Sequence, residues 1–230
     1  DTVSPPPSAQ DAYNQPGAPA EEMGEEEAGE EQECPPWDLM PPFAHAPYRT
    51  DPVAWRDKHP TLGAAQGHYG IDLRGNGQSL LSPCDGVIYG TNGAGNSIEI
   101  KQTHPQTGEI VIHRFMHMKD PSPFANKIGD PISKGEFIGN IDSTGGVTGP
   151  HLHWEMRYTS SGGRPFDPAA EMVRAGHSNW KGLMTSERYL KGESGEVKLA
   201  ERDCPELTEL SEDDLGVQEI SFGDPTELAE

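Results

Sequence analysis

From Gly67 to about Asp167 the chain is a series of short runs of β-forming residues cut by Gly, Asn, Asp and Pro. No 3.6-residue apolar period persists across it. A segment punctuated this way has no room for long helices and is left to pair short strands. Strands are predicted at 68–73, 86–90, 97–101, 109–118, 136–141 and 151–158. Thr107-Gly108 lies between two of these runs, so a hairpin is expected there. Helical signals come only afterwards, at 168–175 and 186–190. The predicted class is mainly β, a compact antiparallel sheet domain. Residues 37–60, with several Pro and aromatic residues but no period, read as an irregular lead-in packed on that core.

Charge divides the chain in the same places. Residues 1–40 carry 11 acidic and no basic residues, and 193–230 carry 13 acidic and 2 basic. The intervening 41–192 carry 14 acidic and 15 basic, so the total of -21 resides at the two ends. An apolar content of 33% over 230 residues is low for a fully globular chain, and these ends explain part of it. The expected organisation is a disordered Pro/Glu-rich segment over 1–36, a folded domain over 37–192, and a disordered acidic tail over 193–230. Nucleic-acid binding is excluded as a leading reading, because no patch offers the phosphate neutralisation it requires. No apolar run approaches the ~20 residues of a membrane-spanning helix. A start at Asp1 rather than Met is expected of a processed or trimmed chain. Cys34, Cys84 and Cys204 allow at most one internal disulfide, in three pairings.

Two patterns about eighty residues apart carry the chemistry. The first is His68-Tyr69-Gly70-Ile71-Asp72, and the second is His151-Leu152-His153, introduced by the Gly-rich 143–150. Between them lies Phe115-Met116-His117-Met118. Side chains alternate along a strand, so His151 and His153 point the same way. His68 and Asp72 share a face if their segment is extended, as do His113, Phe115 and His117. Two histidines and one carboxylate from two strands can hold a metal ion and leave a coordination position open. Two further histidines supply the proton acceptor and oxyanion partner that hydrolysis needs. His113 has two readings, lining a groove or serving the strand. His45, His59, His104 and His177 read as surface or loop residues.

The stretch from Gly67 to Pro168, nearly half of the chain, resembles the lysostaphin and LytM family of zinc metallopeptidases, which cut peptide cross-links in bacterial peptidoglycan. The residues that carry the resemblance are 67–72, Pro83-Cys84-Asp85-Gly86-Val87-Ile88, Phe115-Met116-His117-Met118 and 132–139. They continue with Ser143-Thr144-Gly145, then Thr148-Gly149-Pro150-His151-Leu152-His153-Trp154-Glu155 and Asp167-Pro168. By that resemblance His68, Asp72 and His153 would ligate one zinc ion at the floor of a groove. His117 and His151 would be the unligated histidines that orient water and stabilise the tetrahedral intermediate. Met116 and Met118 stand where the family often has Ala and Leu, and neither change touches the chemistry.

The resemblance implies an exported zinc endopeptidase, periplasmic or at the cell wall, acting on peptidoglycan peptide. The alternative is a non-hydrolytic module of the same scaffold that binds wall peptide or regulates a partner hydrolase. A carrier-domain reading of 129–139 lacks the lysine at a hairpin tip that it would need. For the acidic tails the expectations are a solvated extension, self-inhibition through a carboxylate or Cys34 reaching the metal, or docking of a basic protein partner.

Overall fold

A computed structural model of the chain describes residues 34–92, 96–119, 124, 127–158 and 163–202. The expectations for 1–33 and 203–230, including tail disorder and a carboxylate reaching the metal, lie outside the described residues; the expectation that Cys34 reaches the metal as a thiolate is corrected, because Cys34 is disulfide-bonded. The strands are β1 (Arg49–Asp51), β2 (Ala54–Arg56), β3 (Gln66–His68), β4 (Gly70–Arg74), β5 (Ser79–Leu81) and β6 (Gly86–Asn92). They continue with β7 (Ser97–Thr103), β8 (Ile110–Met116), β9 (Pro131–Ile132), β10 (Phe137–Asn140), β11 (His151–Arg157) and β12 (Pro165–Phe166). Helix α1 (Pro168–Arg174), a 3-10 turn (Ser178–Leu183) and α2 (Glu187–Leu190) follow.

The main sheet runs β1-β4-β11-β8-β7-β6-β9, with β12 pairing the far end of β11. Every pairing in it is antiparallel. The predicted hairpin joins β7 and β8. Its turn is closed by Gly108 N–H donating to His104 O at 2.9 Å, and Gly108 sits at φ +70. That value lies in the left-handed region that glycine adopts without a Cβ penalty. The strands beyond the sequence expectation, β1, β2, β5, β9 and β12, have only two or three residues each. No periodic signal fits in so short a run, and tertiary pairing alone makes them strands.

Alternation gives the sheet two different faces. Ile71 and Leu73 of β4, Phe115 of β8, and Leu152, Trp154 and Met156 of β11 are fully buried on one side. Trp37, Leu39 and Phe43 of the lead-in join this core, as do Met172 of α1 and Trp180 of the 3-10 turn. Trp180 meets Trp154 edge to face at 5.9 Å. Asp167 caps α1 by accepting from Ala169 N–H at 3.0 Å, and Pro168 takes the first turn, where no N–H is needed. The opposite face, carrying Asp72, His153 and Glu155, is free to hold polar groups.

The packed chain runs past the compositional boundary at Gly192. Asp57 accepts the backbone N–H groups of Glu193 and Ser194, Val197 is buried, and Ala200 N–H donates to Pro165 O. Arg202 pairs with Glu109 at 2.5 Å and lies over the Trp37 ring. Cys34 is disulfide-bonded, Cys84 is a free buried thiol, and Cys204 lies outside the described residues. Among the described residues no helix is long and apolar enough to cross a membrane.

Candidate metal centre

His68 ends β3, Asp72 is central in β4 and His153 is central in β11. The register of β4 and β11 sets Asp72 directly opposite His153. Their ligating atoms form a small triangle. His68 Nε2 is 3.0 Å from Asp72 Oδ1 and 2.9 Å from His153 Nδ1, and His153 Nδ1 is 2.8 Å from Asp72 Oδ1. All three residues are buried.

The partners behind these atoms decide what the triangle can hold. His68 Nδ1 donates to Pro52 O at 2.6 Å, which leaves Nε2 as a lone pair facing inward. His153 Nε2 faces Glu155 Oε1 at 3.0 Å, so its other nitrogen also turns inward. Arg56 holds the second oxygen of Asp72, Oδ2, at 3.5 Å. Three electron-rich atoms thus converge on one point, which is an arrangement that calls for a positive charge. The titration behaviour says the same. Burial opposes charge on His153, but hydrogen bonds to the accepting carboxylates of Asp72 and Glu155 outweigh it and push its pKa up to about 9. Burial opposes charge on Asp72 as well, yet the two imidazoles hold its carboxyl far below the usual range.

Gly70 makes room for this arrangement. A Cβ there would lie 2.5 Å from Trp154 O, 2.8 Å from His153 Nε2 and 2.9 Å from Glu155 Cγ. It would occupy the space in which His153 meets Glu155.

His151 and His117 stand beside the triangle. His151 Nδ1 donates to Gly149 O at 2.8 Å, and its Nε2 lies 3.6 Å from Asp72 Oδ1. His117 Nδ1 donates to Thr144 O at 2.7 Å. Both rings therefore present Nε2 as an acceptor, a tautomer inferred from these partners. Their centroids are 4.7 Å apart. Burial depresses His117 to a pKa of about 4, against the pull of Thr144 O, so it is neutral at pH 7.

The structure corrects the face predicted for His117. Strand β8 stops at Met116, and His117 takes φ +63. That left-handed residue breaks the alternation and turns the ring out of the core into the groove. His113 keeps the core side. It is fully buried, its Nε2 donates to Gln102 Oε1 at 2.9 Å, and Trp154 Nε1 donates to its Nδ1 at 3.3 Å. The groove reading of His113 is therefore wrong. His104, expected at the surface, is also buried, with Nε2 donating to Pro36 O.

These groups sit in a groove of about 750 Å³. Its floor is the polar sheet face, and its walls include His59, Thr61, Tyr69 and the loop 146–150. Thr61 Oγ1 donates to Gly146 O of that loop at 2.8 Å. Sequence reasoning missed the supporting groups Pro52, Arg56 and Glu155. Only Glu155 had a local signal, two residues beyond His153 and so on the same strand face.

A three-atom site of imidazole and carboxylate, with neutral histidines nearby, suits a metal ion that activates water or polarises a carbonyl. Comparison with known proteins agrees. Residues 66–168 match the model of peptidase family M23. The chain is 34% identical over 105 residues to a peptidoglycan DD-endopeptidase of Vibrio cholerae, covering 44% of this chain and 23% of that protein. It is 32% identical over 120 residues to a glycyl-glycine endopeptidase of Staphylococcus capitis, covering 49% of this chain and 31% of the relative. A metalloprotease of Haemophilus influenzae, itself uncharacterised, is 32% identical over 116 residues, covering 48% of this chain and 22% of its own length. The chain thus spans less than a third of the curated relatives it matches. Among solved structures, a zinc-containing peptidase from Vibrio cholerae matches at TM-score 0.41 with 29% identity, over 55% of this chain and 37% of that one. The catalytic domain of lysostaphin from Staphylococcus simulans matches at TM-score 0.44 with 22% identity, over 55% and 92%. Residues 66–168, which contain all five histidine and aspartate positions of this centre, form a peptidase family M23 domain, similar to that of the LytM-type and glycyl-glycine endopeptidases.

Proposed function

We propose that the chain is a zinc-dependent endopeptidase that hydrolyses peptide cross-links or bridges of bacterial peptidoglycan. One observation carries this reading: the inward-facing triangle of His68, Asp72 and His153 lies beside two histidines that each offer a free Nε2. The donor set suits zinc, whose usual ligands are imidazole and carboxylate. His68, Asp72 and His153 would hold it, and the ion supplies Lewis acidity and an acidified water. The chain's own groups then do the rest. The groove holds an extended peptide across the sheet face. His151 and His117 orient the attacking water, and one of them accepts its proton at Nε2 and passes it to the departing amine as the C–N bond breaks. Once protonated, the same Nε2–H donates to the oxyanion that develops on the scissile carbonyl. His117, depressed by burial, is a weak base and a correspondingly strong donor when charged. The disulfide at Cys34 supports export to an oxidising compartment, periplasm or cell wall.

The test is mass analysis of muropeptides released from purified sacculi, with and without a zinc chelator, followed by zinc add-back. Loss of cross-linked dimers that the chelator stops and zinc restores is the expected result, and it names the bond. Sacculi of several wall chemistries left intact by the zinc-loaded protein would transfer the chain to the non-hydrolytic binding reading.

A further inference from the structure

The polar sheet face continues beyond the ligands. Arg114 of β8 faces Glu155, and Met116 faces His153, in the register of β8 and β11. Arg114 therefore lies one pleat from the ligand level, roughly 7 Å along the strand. It lines the groove and keeps 23% of its side chain exposed.

Its guanidinium lies between two carboxylates without a hydrogen bond to either. Nε is 3.4 Å from Glu99 Oε1 and Nη1 is 3.9 Å from Glu155 Oε2. Arg114 Nε is buried without a hydrogen-bond partner among the described residues. Neighbouring arginines lie closer to their acids, although Arg157 Nε is also buried without a hydrogen bond among the described residues. Arg157 has Nη2 2.6 Å from Glu155 Oε2 and lies over the Tyr69 ring at 4.8 Å. Arg56 is held by Asp51 and Asp72. Glu155 Oε1 faces His153 Nε2, and its Oε2, without a hydrogen bond among the described residues, lies closer to Arg157 Nη2 than to Arg114 Nη1. A half-buried guanidinium with idle donors in a groove floor is costly, and it is the fork that a carboxylate fits in two-pronged fashion.

We infer that Arg114 is a carboxylate subsite of the groove and selects peptides with a free carboxylate on a residue flanking the scissile bond. The inference rests on the peptidase reading for its scissile bond. Its ligand chemistry rests on Arg114 alone. Amidated or uncharged cross-links would lack the partner and leave the donors idle.

Synthetic cross-link peptides provide the test, one set with free carboxylates on the flanking residues and two sets with either one converted to the primary amide. KM and kcat are measured with the zinc-loaded full chain, and Kd for each peptide by calorimetry under conditions of no turnover. A charge-assisted pair predicts that one of the two amidations raises KM and Kd about 10–100-fold, with kcat changed far less. R114Q should bring the free peptide to the level of that amide, and R114K should recover part of the difference. Equal KM and Kd for free and both amidated peptides overturn the subsite, as does an equal loss on all peptides in R114Q with zinc stoichiometry and melting temperature intact. Should R114Q fail to fold, R114K and the wild-type peptide series still decide. If no peptide is cleaved, the peptidase reading fails, and the Kd series alone decides the subsite.

Discussion

Glu155 does for His153 what the Pro52 carbonyl does for His68: it engages the nitrogen that faces away from the metal and leaves the other free to bind. Such partners orient the ring and raise its basicity, and their loss typically costs 10–100-fold in affinity. Glu155→Ala is therefore expected to weaken zinc binding about 10–100-fold, read by competition with a chromophoric chelator. Unchanged affinity would show that His153 is oriented by packing alone. His117 and His151 bind no metal in this scheme. His117→Ala and His151→Ala should each lower turnover by about 10²-fold or more while retaining one zinc per chain. Loss of the metal in either variant would make that histidine a ligand. His-x-His and His-x-x-x-Asp are local patterns and pointed to four of the five positions, and His117 followed from its place between them and from the family resemblance. They did not point to Arg114 or Arg56, whose roles depend on which acids approach them from other strands.

At the scale of the element, the site depends on where strands stop. Had β8 continued past Met116, His117 would have faced Phe115 and the core, as alternation predicts. The φ of +63 at His117 redirects it, and no residue pattern announces a left-handed histidine. A second element-level constraint is the close approach of β4 and β11 at Gly70. Gly70→Ala forces a methyl against the Trp154 carbonyl and His153, so it should cost about 1–3 kcal/mol of stability as an overpacked contact. Denaturant unfolding of the metal-free chain checks the cost, and zinc affinity should fall with it. A neutral outcome would mean that β4 shifts freely away from β11. Glycine at this position is visible in the sequence, but only the strand pairing shows what it admits.

For the molecule as a whole, acid stability reports the core histidine. Burial lowers His113 to a pKa of about 3, whereas in the unfolded chain it titrates near the ordinary 6.5. Between these values the unfolded state binds more protons, so stability rises with pH there and levels off above about 6.5. The slope from this one group reaches about 1.4 kcal/mol per pH unit. His113→Gln should remove that component, so the difference in unfolding free energy between the two chains should shrink as pH falls from 6.5 toward 4. A difference independent of pH would mean that His113 reaches solvent in the native state.

The sequence by itself determined the β class, the central strands, the two late helices, the acidic ends and which histidines and aspartate to look for in a candidate metal centre. Each is carried by local composition, alternation or a short motif, and so survives without knowledge of the fold. Tertiary structure alone decided the short strands β1, β2, β5, β9 and β12, the core burial of His113 and His104, and the turn that delivers His117 to the groove. It also decided that the chain remains packed as far as Arg202, where Trp37 and Glu109 receive it. These features arise from contacts between residues distant along the chain, and their energies have no counterpart in any window of sequence.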